Sequence, residues 1–245
     1  MNVALVTGAG SGIGRAVALK LAHAGYQVVI TGRREERLRA VAAAAVSNCH
    51  SISSDVTDVE SVTSLFEQVR IRFGRLDVLF NNAGVSSATV PLEDVKLEDW
   101  HRVIATNLTG TFLCTQSAFK LMRDQSPQGG RIINNGSISS QVPRPMMVAY
   151  TASKHAVTGL TKTTSLEGRR YNIACGQIDI GNTATEMASS MSTGTLQADF
   201  TTNIEPTFDV QHVADAVLYM ANLPLEANVQ FMTVMATKMP FVGRG

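Results

Sequence analysis

Cysteine, aromatic residues and surplus charge are all scarce in this chain, and each scarcity excludes something. Three cysteines in 245 residues (Cys49, Cys114 and Cys175) are an odd number without ligand spacing, so neither a disulfide framework nor a zinc site is expected and a reducing compartment fits best. Aromatic residues make up 6% of the chain, with a single tryptophan, Trp100, expected in the core. Twenty-one basic side chains against 20 acidic ones leave a net charge of +1, which offers no footprint for nucleic acid or an anionic membrane. No apolar run approaches the roughly 18 uncharged residues of a membrane span. No basic, apolar leader precedes Val3, so a cytoplasmic protein is expected. The five histidines, His23, His50, His101, His155 and His212, are scattered without metal-ligand spacing.

What the chain does have is a hydrophobic fraction of 44%, enough for a sizeable core, laid out as alternating short and long apolar patterns. Runs rich in β-branched residues at Val3–Thr7, Gln27–Thr31, Cys49–Ser53, Leu76–Phe80, Arg131–Asn135, Asn172–Gly176 and Gln230–Met235 read as seven strands. Between them, Ile13, Val17, Leu21 and Ala24 recur at helical spacing, an alanine-rich helix is expected over Arg34–Val46, and Asp58 N-caps a helix that Gly74 stops. Further helices are expected near Leu97–Arg123, Tyr150–Arg169 and Val210–Asn222. Strands separated by helices run parallel through right-handed crossovers, which predicts an α/β fold: a doubly wound parallel sheet of about seven strands with helices on both faces. No repeat, low-complexity tract or Pro/Ser linker breaks the chain, so residues 1–245 read as one domain.

After the first strand comes Thr7-Gly8-Ala9-Gly10-Ser11-Gly12-Ile13-Gly14, directly ahead of the first helix. Residues without Cβ let the backbone bend sharply and approach a pyrophosphate, whose charge is met by N–H groups at the helix N-terminus. An ordinary flexible turn is the alternative; four glycines in seven positions, between an apolar strand and an amphipathic helix, favour dinucleotide binding. The common G-x-G-x-x-G spacing fails, because Ile13 stands where its third glycine would be.

Thr-Gly-x-x-x-Gly-x-Gly, then Asn81-Asn82-Ala83-Gly84 after the fourth strand and Tyr150-x-x-x-Lys154 farther on, resemble the short-chain dehydrogenase/reductase family in kind and order, over nearly the whole chain. The resemblance implies a Rossmann-type fold and a nicotinamide dinucleotide. It implies that Gly8, Ser11, Gly12, Ile13 and Gly14 hold the pyrophosphate, that Asp55 and Val56 flank the adenine, and that Asn81, Ala83 and Gly84 line the ribose side. Where NAD sites place a carboxylate at the end of the second strand, this sequence has Thr31-Gly32-Arg33-Arg34. Two guanidinium groups suit a 2′-phosphate, so NADP is favoured over NAD; a merely solvated helix start is the other reading of Arg33 and Arg34.

Tyr150 and Lys154, four apart, share one helix face, and a neighbouring ammonium is expected to draw a phenol with an ordinary pKa near 10 toward the working range. Lys154 also holds the nicotinamide ribose in the family. Ser137, thirteen residues before Tyr150, matches the register of the family's catalytic serine, with Ser139 and Ser140 as competing candidates. Asn107 matches the asparagine that perturbs a helix and fixes a water linking the lysine to solvent. Together Asn107, Ser137, Tyr150 and Lys154 imply hydride transfer between NADPH and a small-molecule carbonyl or alcohol, with Tyr150 as acid/base. That intact set argues against the rival reading, a catalytically idle dinucleotide-binding redox sensor. An epimerase or dehydratase would need a further substrate domain.

Substrate walls are expected from the loop after Gly84, from Val142–Val148 with its one cation Arg144, which is expected to be exposed, an acidic substrate being the other reading, and from the segment after the sixth strand. The family's Pro-Gly appears here as Cys175-Gly176, with Ile180 where a threonine is usual, Thr183 or Thr185 as substitutes and Ile178 beside the nicotinamide ring. The tail Lys238-Met239-Pro240 is similar to the branch acting on small hydroxy acids and carbonyls. The long helices from Leu108 and Tyr150 are those relatives use for a four-helix interface, so a homotetramer is expected.

Overall fold

A computed structural model describes residues 1–45, 47–185 and 194–242. Strands β1 (Val3–Thr7), β2 (Gln27–Gly32), β3 (Cys49–Ser53), β4 (Val78–Asn81), β5 (Gly130–Asn135), β6 (Ile173–Ile180) and, last in the chain, β9 (Phe231–Val234) form one sheet in the order β3-β2-β1-β4-β5-β6-β9. Every pairing in it is parallel. A separate antiparallel pair, β7 (Thr195–Leu196) and β8 (Thr202–Asn203), precedes the final helix. The crossovers are α1 (Gly12–His23), α2 (Glu35–Ala44), α3 (Val59–Phe73), α4 (Leu97–Ile104), α5 (Gly110–Asp124), α6 (Val148–Gly168) and α7 (Val210–Asn222).

Alternation along the strands sorts their side chains into two cores, one on each face. Ala4, Val6, Val28, Ile30, Phe80 and Ile133 pack with Val17 and Leu21 of α1 and with Val213, Val217 and Met220 of α7. Val3, Leu5, Val29, Leu79 and Ile132 face the other way, against Leu65, Phe66 and Val69 of α3 and Cys114, Ala118 and Met122 of α5. This is the doubly wound Rossmann-type sheet read from the periodicity, and strand order reverses between β1 and β4, where the carboxyl ends leave a crevice.

Boundaries differ from expectation where side chains intervene. β4 starts at Val78, after Asp77, whose Oδ2 accepts from the Val3 N–H at 2.7 Å while Arg75 pairs with the same carboxylate. The expected long helix from Leu97 to Arg123 is divided by a π-helical turn, Ala105–Thr109, between α4 and α5. β6 runs four residues beyond Gly176, which sits mid-strand because a Cβ there would lie 2.1 Å from the Val229 carbonyl oxygen. Trp100 is half-buried on α4, and Val46, the expected end of the second helix, lies outside the described residues.

The loop between α7 and β9 is held by one buried cation. Arg131, 1% exposed on β5, donates from Nη2 to the carbonyls of Leu223, Pro224 and Ala227 and from Nη1 to Asn228 Oδ1, at 2.9–3.1 Å. Replacing it by methionine fills the space but leaves those acceptors without a donor, and such bonds to a charged group contribute roughly 1.5–3 kcal/mol each. Arg131→Met is therefore expected to lower the unfolding free energy by about 3 kcal/mol in urea titrations, with the slope unchanged. A midpoint equal to that of the native protein would show that the loop is held by other contacts.

Candidate active site

The crevice beyond the strand ends encloses a cavity of about 520 Å³, within the usual size of a small-molecule pocket. One end is built by the glycine turn. Gly8 and Gly12 have φ of +63° and +52°, a region open to glycine, and a Cβ on Gly8 would sit 2.8 Å from Ala83 Cα. The turn is fastened to the next strand: the Thr7 hydroxyl accepts from the N–H groups of Asn82 and Ala83, both at 2.9 Å, and the Asn82 amide donates to Thr7 O and Gly8 O. Asn135, at the end of β5, donates in turn to Asn82 Oδ1 at 3.0 Å.

Gly8, Ser11, Gly12 and Ile13 line the cavity at this end, together with the exposed Arg33 and Arg34 at the start of α2. Glu35, the next residue in the chain, is engaged by Arg39 at 2.6 Å. Asp55, Val56, Ala83 and Gly84 form the middle of the wall. The Asp55 carboxyl is held below its usual value: its burial acts upward, and hydrogen bonds from Thr57 together with the Arg33 charge outweigh it.

At the far end Ser137, Tyr150 and Lys154 converge on the same cavity. The 3-10 turn Ile138–Ser140 presents Ser137, whose hydroxyl accepts from the Ser139 N–H at 3.1 Å. The two residues of α6 lie one helical turn apart, with the Lys154 Nζ 5.6 Å from the Tyr150 ring centre. Lys154 is buried and donates to the Asn135 carbonyl at 2.7 Å. Burial pushes its ammonium down to about 8, opposed by the charge of Asp179. Burial likewise raises the Tyr150 phenol above its ordinary value, against hydrogen bonding from Ser137 and the Arg144 charge, which lower it, while Asp179 adds to the rise. The net direction is thus upward, opposite to the expectation from the neighbouring ammonium, because desolvation outweighs the Ser137 hydrogen bond and the Arg144 charge.

Four of the residues expected at the site do not line the cavity. Asn81 faces inward, 4% exposed, and donates to Thr115 Oγ1 and Asn134 Oδ1; the strand alternation gives the cavity wall to its neighbour Asn82 instead. Gly14 is a packing glycine, since a Cβ there would lie 2.5 Å from both Gly8 O and Asn82 Nδ2. Ile178 is fully buried in the core beneath α7. Asn107, 1% exposed within the π-turn, clips the loop after Gly84 to α6: its Oδ1 accepts from Val85 N at 2.8 Å, and its Nδ2 donates to Val85 O at 2.9 Å and Ser153 Oγ at 3.2 Å.

The length of β6 also moves the expected Pro-Gly position. The strand ends at Ile180-Gly181, not Cys175-Gly176; Ile180 and Gly181 line the cavity, as does Thr185 four residues on, where the family's threonine is usual. Arg144 is buried rather than solvated and pairs with Glu205 at 2.6 Å, 61 residues away, while also donating to Asn182. Asp179, Gln177 and Gln141 form a polar cluster under Ser137 that the sequence reading missed; the visible signal was two polar residues at alternate positions of an otherwise apolar strand. Among the described residues, no cluster of potential ligands suited to a metal ion exists, and no helix is long and apolar enough to cross a membrane.

A family model described as short chain dehydrogenase matches residues 2–195. The chain is 40% identical over 194 residues to a 3beta-hydroxysteroid dehydrogenase of Mediterraneibacter gnavus, covering 78% of this chain and 69% of that protein. It is 34% identical to sulfoacetaldehyde reductase 2 of Chromohalobacter salexigens, covering 97% and 95% of the two chains. Among solved structures, it superposes on an actinorhodin polyketide ketoreductase variant with NADPH at a TM-score of 0.85 and 30% identity, covering 95% of each chain.

The buried lysine has a consequence for stability. Its folded-state pKa is depressed, so the neutral form is favoured by folding and the unfolded chain holds the proton longer. Stability should therefore rise between about pH 8 and the ordinary lysine value near 10.4. Urea midpoints of the native protein and Lys154→Met, compared across that range, are expected to differ by an amount that changes with pH. A constant difference would show that Lys154 is not desolvated.

Proposed function

The chain belongs to the short-chain dehydrogenase family, and on that premise we propose that it is an NADP(H)-preferring oxidoreductase interconverting a small-molecule carbonyl and its alcohol. The observation that carries this reading is the meeting of Ser137, Tyr150 and Lys154 at one end of a cavity whose other end is the glycine turn with Arg33 and Arg34. The fit to a dinucleotide rests on that turn: Gly8 and Gly12 hold left-handed conformations at the N-terminus of α1, and the turn closes against Ala83 only because Gly8 has no Cβ. The NADPH in the ketoreductase structure supports the same cofactor class.

When bound, the nicotinamide supplies or accepts the hydride. Tyr150 gives its phenolic proton to the substrate oxygen in reduction and takes it back in oxidation. Ser137 donates a hydrogen bond to that oxygen and fixes its place beside the phenol. Lys154, in its charged form, favours the phenolate left behind, and its bond to Asn135 O fixes where the ammonium stands. Asn107 supports the arrangement from behind by holding Val85 and Ser153. Arg33 and Arg34 are free of the Glu35–Arg39 pair and stand where a 2′-phosphate would be met by their planar guanidinium groups. The large apolar side chains Phe112 on α5 and Leu166 on α6 are 44% and 60% exposed, which supports a homotetramer through those helices.

Tyr150→Phe is expected to bind NADPH normally and to lose turnover about 10²-fold or more, the usual contribution of a positioned proton donor. Stopped NADPH absorbance decay against a panel of ketones, aldehydes and keto acids tests this; near-native turnover would remove the acid/base role. Arg33→Asp is expected to weaken NADPH binding by at least about tenfold, roughly 1.4 kcal/mol, with NADH little affected. Equal NADPH affinity by fluorescence titration would remove the NADP assignment.

A further inference from the structure

Asp179 is a buried carboxylate that the chemistry above leaves unused. It is 1% exposed on β6, and its Oδ1 accepts from the Ser137 N–H at 3.1 Å and from Gln177 Nε2 at 2.7 Å, while Oδ2 accepts from Gln141 Nε2 at 2.9 Å. The approach leaves no spare room: a Cβ on Gly136 would lie 2.1 Å from Asp179 Oδ1. Gln177 is held by Thr161, to which Asn134 donates, and Asn134 accepts from Asn81, so the support of Ser137 reaches back across the sheet.

The charged and titratable groups facing this carboxylate come from the elements around it. Tyr150 and Lys154 stand on α6, and Arg144 on the loop before it is already paired with Glu205. Neither β9 nor the adjoining end of β5 offers a charged side chain. Among the described residues no lysine or arginine forms an ion pair with Asp179; Lys154, bonded to Asn135 O where β5 runs into the turn that Asp179 holds at Ser137 N, is the buried cation at this place.

We propose that Asp179 is a positioning residue of this site: it pins the turn that aims Ser137 at the substrate oxygen and serves as counter-charge to Lys154. The proposal rests on the oxidoreductase reading above. A negative charge at this place keeps the proton on both Lys154 and Tyr150, the state in which the phenol can deliver it to a carbonyl. Removing that charge makes every proton of the pair easier to lose, whichever group gives it up first.

Phenolate absorbance of the dinucleotide-free protein, minus that of Tyr150→Phe, isolates Tyr150 from Tyr26, Tyr171 and Tyr219. In Asp179→Asn the Tyr150 midpoint should move to lower pH, and kcat for carbonyl reduction should fall about tenfold with NADPH affinity unchanged, because Lys154 loses its counter-charge while the Ser137 turn keeps its shape. Gln141→Leu removes one hydrogen bond but keeps the charge, so its midpoint should match that of the native protein. An unmoved midpoint in Asp179→Asn, or an equal displacement in Gln141→Leu, overturns the proposal. The absorbance readout needs no turnover, so a protein that reduces no carbonyl would count against the oxidoreductase reading alone. Asparagine keeps the shape, and Gln141 can turn its amide to face it. Should that variant still fail to fold, hydrogen exchange of the Ser137 amide in Ser140→Ala, which removes that amide's other acceptor at 3.2 Å, decides: slow exchange supports the bond to Asp179, and exchange at the rate of an open loop overturns it.

Discussion

Asn135 is the residue on which the two ends of the cavity depend. Its carbonyl receives the buried ammonium of Lys154, and its side-chain amide donates to Asn82, whose own amide closes on the carbonyls of Thr7 and Gly8. One residue at the tip of β5 thereby ties α6 to the glycine turn through a chain of short, part-buried hydrogen bonds. Partly shielded from water, such bonds are costly to break, which makes the spacing between the dinucleotide end and the proton-donating end depend on the fixed side chains of Asn82 and Asn135.

Burial and charge pull against each other at the proton-donating end. Desolvation raises the Tyr150 phenol and lowers the Lys154 ammonium, so each is driven toward its neutral form. Asp179 opposes the change at Lys154 and reinforces it at Tyr150, which gives the buried carboxylate an unequal effect on two groups only one helical turn apart. A phenol raised in this way keeps its proton but is a weaker acid than a free one, so its release depends on whatever charge favours the phenolate left behind.

Much of this was legible in the chain. The alternation of Ala4 and Val6 against Val3 and Leu5 separates the two cores, and the glycine turn and the Tyr150–Lys154 pair both lie where strand and helix periods place them. The parts that were not legible share one cause: they depend on partners distant in sequence or on a register one or two residues long. Asn81 and Asn82 read alike, but the pleat sends one inward and the other to the cavity. Gly176 resembled a strand end until the Val229 carbonyl beside it is seen to require a glycine there. Arg144 looked solvent-exposed because Glu205, its partner, is 61 residues away.

The π-turn at Ala105–Thr109 sets the phase of everything that follows it along the same axis. Each residue advances a helix by about 100°, so the extra residue accommodated there is what turns Cys114, Ala118 and Met122 onto the sheet rather than sideways. Shortening the turn by one position would leave an ordinary helix with its hydrophobic stripe misdirected by more than a quarter of a revolution. The irregularity is therefore a gear tooth: removing one residue there would disengage the helix from the sheet.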